Sequence, residues 1–360
     1  MAQISPQPGI MDIALYQAGE SRIEGQAEVL KLSANENPFG CSPKASAAVA
    51  ASISELHRYP NVDHRSLRAA IAEIHGLDPA RIVLGVGSDE TIDKLCQAYA
   101  GPGLEVMHTQ HGFAMYRISA LSHGATPVEV PEKDRRVDVD AILAHLTPLT
   151  RLVFIANPAN PTATFLDIAE LTRLADGLPP ECLLVLDGAY AEFAPGYDGG
   201  AALVDSRDNI VMTRTFSKAY GLGGLRVGYG YGPAHVTEVL NRIRAPFNLS
   251  VPALQGAEAA MADQEWVQTC LEVNAQERQR LTGGLIQLGL GCDDSFANFV
   301  LARFADADTA SAADAFLKSR GIIVRHPKSY GFPDALRITV GRPEDNTRVL
   351  QALADFQGAA

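Results

Sequence analysis

Lys218 stands between two hydroxyls and a run of glycines, in Thr215-Phe216-Ser217-Lys218-Ala219-Tyr220-Gly221-Leu222-Gly223-Gly224-Leu225-Arg226. The apolar stretch 209–213 before it reads as a short buried strand, and the glycine-rich stretch 227–232 after it as another. The lysine is therefore expected on a loop held by a rigid scaffold, where functional side chains concentrate. No carboxylate lies within several residues of it in sequence. Small, apolar surroundings destabilise the ammonium form and lower its pKa. A neutral lysine amine is the nucleophile required for Schiff-base chemistry on an aldehyde. The hydroxyls of Thr215 and Ser217, with the Arg226 guanidinium, suit a phosphate. The plain alternative is a solvated loop lysine, since most lysines lie on the surface; the flanking pattern favours the chemical reading.

Other segments add groups of the same kind. Gly87-Ser88-Asp89-Glu90 opens a helix expected over 91–100. A hydroxyl and acids there are ordinary N-cap chemistry, and the same helix N-terminus can bind a phosphate. The uninterrupted apolar stretch 182–186 reads as a strand of a buried parallel sheet. It ends in Asp187-Gly188-Ala189-Tyr190, at the strand end where open α/β sheets place ligands. The strand expected at 151–156 runs into the proline-rich turn Asn157-Pro158-Ala159-Asn160-Pro161-Thr162-Ala163. Phe113, in His111-Gly112-Phe113-Ala114-Met115-Tyr116, reads on pattern alone as a core residue.

The elements that must position these groups alternate between strand and helix to about residue 262, which implies one α/β domain. Residues 1–40 read as an N-terminal arm and entry loop, with a short helical piece around 12–18 and a strand leading into Asn35-Glu36-Asn37-Pro38. Residues 41–262 form the large domain and residues 263–360 a smaller α+β domain. The latter starts with a long helix, 264–288, expected to be interrupted at Gly283-Gly284, and carries Arg325 and Arg337 on strands.

The composition narrows the partners. A net charge of −12 over 360 residues argues against nucleic acid and anionic membrane surfaces. The five cysteines are scattered and odd in number, which fits a reducing cytoplasm and argues against a disulfide framework or a metal site. No stretch of about eighteen apolar residues predicts a membrane span, and the N-terminus lacks the features of a signal peptide.

In combination these segments resemble the fold-type I pyridoxal 5'-phosphate (PLP)-dependent aminotransferases along nearly the whole chain. Asn160, Asp187 with Tyr190, Ser217-Lys218 and Arg226 match that pattern in order. Arg58-Tyr59-Pro60 and Leu336-Arg337-Ile338-Thr339-Val340-Gly341, with the segments at 34–38, 87–90 and 112–116, are most similar to the histidinol-phosphate aminotransferases, a class II branch. The resemblance implies a large domain with a mostly parallel central sheet plus a smaller α+β domain. It implies that Lys218 attaches PLP and then carries protons, that Asp187 pairs with the pyridine nitrogen, and that Tyr190 and Asn160 bond the phenolic oxygen. Phe113 would stack on the ring, and Ser88, Asp89 through its backbone N–H, Thr215, Ser217 and Arg226 would hold the phosphate. Arg337, and more weakly Arg325, would grip the anionic end of the substrate. Tyr16, Asn35 and Tyr59 resemble substrate-side residues, with Tyr59 reaching over from the second subunit of a homodimer with shared active sites. The chain departs from the family at Ala159, Ala163, Gly188 and Phe113, where Asn, Gly, Glu and Tyr are usual; Ala163 reshapes its turn if that position has positive φ.

The implied reaction moves an amino group between L-histidinol phosphate and 2-oxoglutarate. An aromatic amino-acid aminotransferase and a threonine-phosphate decarboxylase are the alternatives on the same scaffold. From other classes, a nicotinamide dehydrogenase would need glycine where Gly85-Val86-Gly87 is followed by Glu90. A Ser217-Lys218 amidase lacks the Ser-x-x-Lys spacing. A PLP-binding regulator would need a DNA-binding module for which the chain has no room.

Overall fold

The computed structural model describes residues 4–16, 19–26 and 28–359. After the arm, β1 (Leu30–Leu32) leads to α1 (Pro43–Ser52), α2 (Arg65–His75), β2 (Ile82–Val86), α3 (Gly87–Tyr99), β3 (Glu105–Thr109), α4 (Ala114–Ser122) and β4 (Thr126–Val130). Next come α5 (Val139–His145), β5 (Thr150–Ala156), α6 (Ile168–Gly177), β6 (Leu183–Asp187), α7 (Ala201–Ser206), β7 (Ile210–Thr215), β8 (Val227–Tyr231), α8 (Ala234–Ile243) and α9 (Val251–Met261). The chain ends with α10 (Gln264–Gln287), β9 (Gly291–Cys292), β10 (Phe299–Arg303), α11 (Ala307–Ser319), β11 (Ile322–Val324), β12 (Ala335–Thr339) and α12 (Pro343–Ala359).

Local chemistry sets many of the helix starts. Ser42, Asp138, Asp167, Ser250 and Asp306 each accept the backbone N–H three residues on, which satisfies a first-turn donor.

Seven strands form the main sheet in the order β2-β8-β7-β6-β5-β3-β4. Only β8 runs antiparallel to its neighbours; the other pairings are parallel. The central strand β6 is buried at every position, as its apolar run requires. The second unit has the antiparallel order β12-β10-β9 and a parallel β1–β11 pair. Leu32 of β1 packs into the core of this unit, although it precedes the large sheet in sequence. Helix α10 spans the two cores: Val267 packs in the large one, Leu281 and Leu285 in the small one.

Two local expectations are corrected. Helix α10 runs unbroken through Gly283-Gly284. A Cβ at Gly284 would come within 2.7 Å of Leu350 on α12, so close helix packing accounts for the missing side chain there. The expected helix around 12–18 is a single 3-10 turn, Ile10–Asp12, with non-helical chain at 13–16; residues 17 and 18 lie outside the described residues. This turn buries none of its residues, so it has little packing to stabilise a longer helix.

Candidate active site

One cavity of about 290 Å³ opens where β5, β6 and β7 end at their carboxyl termini and where α3 begins. This is the ligand position of open α/β sheets. Every residue nominated from the sequence lines it except Tyr59. Tyr59 is 81% exposed and its ring stacks on Phe247, with centroids 4.6 Å apart.

Lys218 projects into this cavity from the loop after β7, and its Nζ donates to the Ala34 carbonyl at 3.0 Å. Burial, then the positive charge of Arg337, pull its pKa down to about 8. The lowered basicity expected from the local sequence is thus present, though the buried setting comes from distant segments and not from the neighbouring glycines alone.

Asp187 ends β6 and is 4% exposed. Its Oδ2 accepts the Tyr116 hydroxyl at 2.7 Å, while Oδ1 accepts the Ala189 backbone N–H at 3.1 Å and the Thr213 hydroxyl at 3.2 Å. These three donors are neutral, and no salt bridge joins this carboxylate to a cation among the described residues. Burial raises its pKa. A buried carboxylate held by neutral donors at the cavity wall fits a cationic ring nitrogen as its missing partner. Tyr116 stacks on Phe154 at 4.7 Å and meets Phe113 edge-on at 5.9 Å, so Phe113, at the N-cap of α4, presents its ring to the cavity.

The first turn of α3 carries Ser88 and Asp89. Its backbone N–H groups have no intrahelical acceptors and favour an anion. Across from them, Arg226 donates to Asp89 Oδ2 at 2.9 Å and to Ser217 Oγ at 3.2 Å, and Thr215 Oγ1 lies 3.0 Å from Ser217 Oγ. Arg226 has φ +56°, a conformation uncommon for a side-chain-bearing residue and concentrated at functional sites. Helix amides, two hydroxyls and a guanidinium facing one another fit a phosphate group.

At the opposite wall, Arg337 on β12 is 7% exposed. Its Nη1 donates to Asn160 Oδ1 at 2.6 Å and its Nη2 to the Ser33 carbonyl at 2.8 Å, while its Nε is buried with no partner. Asn160, nominated for a cofactor oxygen, is thus engaged by Arg337. Arg325 pairs with Arg337 through backbone bonds of 3.0 and 2.7 Å in each direction. Asn35 joins the arm to this wall: it sits at φ +55°, its side chain donates to the Tyr190 hydroxyl at 3.0 Å, and its backbone N–H donates to Thr339 Oγ1 at 3.0 Å. Asparagine tolerates that backbone region better than most residues. Tyr16 lines the cavity mouth from the arm.

Ala163 has φ +60°, so the turn keeps the left-handed geometry with an alanine. Sequence reasoning missed the roles of Tyr116 and Tyr330, both of which line the cavity. Tyr116 was visible three residues beyond Phe113, but nothing in its spacing points to Asp187. Among the described residues no cluster of His, Cys, Asp or Glu could hold a metal ion, the cysteines are free, and no helix is long and apolar enough to cross a membrane.

Residues 27–353 match the family described as aminotransferase class I and II. The chain is 69% identical over 358 residues to the histidinol-phosphate aminotransferase of Jannaschia sp. (strain CCS1), covering 99% of each chain. It is 66% identical over 358 residues to that of Roseobacter denitrificans, covering 99% of this chain and 100% of the relative. Among solved structures, the histidinol-phosphate aminotransferase of Sinorhizobium meliloti in complex with pyridoxal-5'-phosphate superposes with a TM-score of 0.86 at 29% identity, covering 92% of each chain.

Proposed function

The chain belongs to the class I and II aminotransferases, and from that premise we propose that it is a PLP-dependent transaminase moving an amino group between L-histidinol phosphate and 2-oxoglutarate. The observation that carries this reading is the pairing of near-complete relatives of that name with a cavity that has an anion cradle at α3 and a second anion site at Arg337, on either side of one lysine. When bound, PLP supplies an aldehyde that takes up the amino group and an electron-withdrawing ring.

The remaining chemistry falls to this chain's own residues. The first-turn amides of α3 with Arg226, Ser217 and Thr215 would hold the cofactor phosphate. Asp187 would hold the ring nitrogen in its protonated form, and Phe113 would stack on the ring. Lys218, with a pKa near 8, can both lose and regain a proton at Nζ near neutral pH. Tyr190, whose hydroxyl accepts from Asn35 at 3.0 Å, would bond the phenolic oxygen of the cofactor. Arg337 takes the phosphate of one substrate and the carboxylate of the other, since a guanidinium fork fits either anion. In this reading residues 41–262 hold the cofactor, while the C-terminal unit, residues 263–360, presents Arg325 and Arg337.

The same reading makes the active unit a cytoplasmic homodimer with shared sites. Supporting it are the exposed Tyr59–Phe247 stack and the exposed Ile53 and Leu56 beside it in sequence, an apolar cluster suited to a second copy. The free cysteines support the compartment.

The test is substrate profiling of the purified protein with 2-oxoglutarate as acceptor, following glutamate formation. The highest kcat/KM is expected with L-histidinol phosphate. A preference for aromatic amino acids, or carbon dioxide release from threonine phosphate, would replace this assignment.

A further inference from the structure

One contact joins the two halves of the cavity wall without belonging to the residues assigned above. The turn Lys328–Tyr330 lies between Arg325 and Arg337 in sequence, and Tyr330 lines the cavity. Opposite it is the loop between β3 and α4, which carries His111 two residues before Phe113. His111 Nδ1 lies 2.6 Å from the Tyr330 carbonyl oxygen. A carbonyl can only accept, so Nδ1 carries the proton and donates. The imidazole also packs on the Phe332 ring, with centroids 4.2 Å apart. The turn is therefore held to the loop two residues before Phe113.

The surroundings favour this geometry. Gly331 has φ +82°, and a Cβ there would come within 3.1 Å of His111 Cε1, so only glycine lets the turn approach the imidazole this closely without strain. Behind the loop, Glu132 Oε1 accepts the His111 backbone N–H at 3.4 Å. The loop is thus backed from the large sheet while it holds the turn of the smaller unit.

We propose that His111 and Tyr330 form a clasp between the two units that positions Arg325 and Arg337 relative to the cofactor face at Phe113, making both of them positioning residues for the anionic end of the substrate. The proposal rests on the reading of Arg337 as the anion grip. Arg325 and Arg337 are bonded backbone to backbone, so the segment connecting them can move only by disturbing that bridge or by swinging as a turn. The clasp removes the second freedom. Displacements of about 1 Å in positioning groups can cost on the order of a hundredfold in rate. Helix α4 keeps its own anchor through Tyr116 and Asp187, so loosening the clasp is expected to act on substrate binding and to leave cofactor binding in place.

The test uses the holoenzyme. His111→Ala removes the donor, His111→Asn keeps a donor nitrogen near the Nδ1 position, and Gly331→Ala sets a methyl group against the imidazole and strains the turn. His111→Ala and Gly331→Ala should raise KM for both the amino donor and the oxo acid, roughly fivefold each as for loss of one hydrogen bond. PLP affinity should stay within about twofold, and His111→Asn should recover most of the loss. A purely structural role would lower Tm without this KM shift, and that result overturns the clasp. So does a His111→Asn variant as impaired in KM as His111→Ala. If His111→Ala does not fold, His111→Asn near wild type together with a raised KM in Gly331→Ala supports the clasp, and unchanged KM in Gly331→Ala overturns it. Arg337→Lys measured in parallel separates the two claims. A rise in KM there with none in the clasp variants overturns the clasp alone; no rise in any variant overturns the anion-grip reading and the clasp with it.

Discussion

The Tyr116 hydroxyl donates to Asp187 Oδ2 at 2.7 Å across 71 residues of sequence, from α4 to the end of β6. It gives the buried carboxylate its shortest hydrogen bond and fixes the direction in which the remaining lone pairs face the cavity. Tyr116 is fully buried and held by its stack on Phe154, so the donor has little freedom to leave.

Replacing Tyr116 by Phe keeps the stack and deletes that donor. Hydrogen bonds to charged groups contribute about 1.5–3 kcal/mol, so PLP affinity and kcat are each expected to fall about tenfold or more. Equilibrium titration of PLP absorbance and steady-state kinetics measure the two. Both quantities at wild-type values would remove Tyr116 from the Asp187 support.

Lys218 has its pKa pulled to about 8 from the usual 10.5, by burial first and Arg337 second. Only the unprotonated amine is a nucleophile, so attachment of PLP to the apo protein should speed up as pH rises. A group of this pKa is roughly one-tenth neutral at pH 7 and nine-tenths neutral at pH 9. The rate should therefore level off above about pH 9, whereas an ordinary lysine would keep gaining to pH 10 and beyond. A stopped-flow pH profile decides between them, with borohydride reduction and peptide mapping to establish that Lys218 is the residue modified.

Arg337→Lys keeps the charge and loses the fork. Its two Nη bonds, to Asn160 and Ser33, cannot both be made by one ammonium in the same geometry. KM should rise roughly tenfold or more for both substrates, since one site serves both half-reactions. A rise for neither substrate would discard the role.

Tyr59→Ala and Lys218→Ala should complement each other. Provided each is severely impaired alone, a mixed dimer carries both lesions in one site and neither in the other. For random equal mixing the recovered activity should approach about one quarter of wild type, as two-fold reciprocity requires. Demonstrated subunit exchange with no recovery would rule out shared sites.

Much of this was written in the sequence because it is local. The apolar run of β6 ending in Asp187, the Ser217-Lys218 loop between two strands, and the Ser and Asp helix caps all follow from residues within a few positions of one another. Periodicity and capping act over one or two turns of chain, so one sequence is enough to read them. The glycines at 283 and 284 look like a break by the same logic, and they are not one, because the packing of α12 on α10 outweighs the local propensity. The pairings that shape the site are of another kind. Tyr116 meets Asp187, Arg337 meets Asn160 across 177 residues, and His111 meets Tyr330 across 219. No spacing predicts these contacts, because they depend on the order of strands in the sheet and on how β12 and its turn pack against the ends of β5 and β6. Sequence determined which groups could do chemistry and which elements carry them; the tertiary structure decided which of those groups touch, since hydrogen bonds form only between atoms that packing brings within about 3 Å.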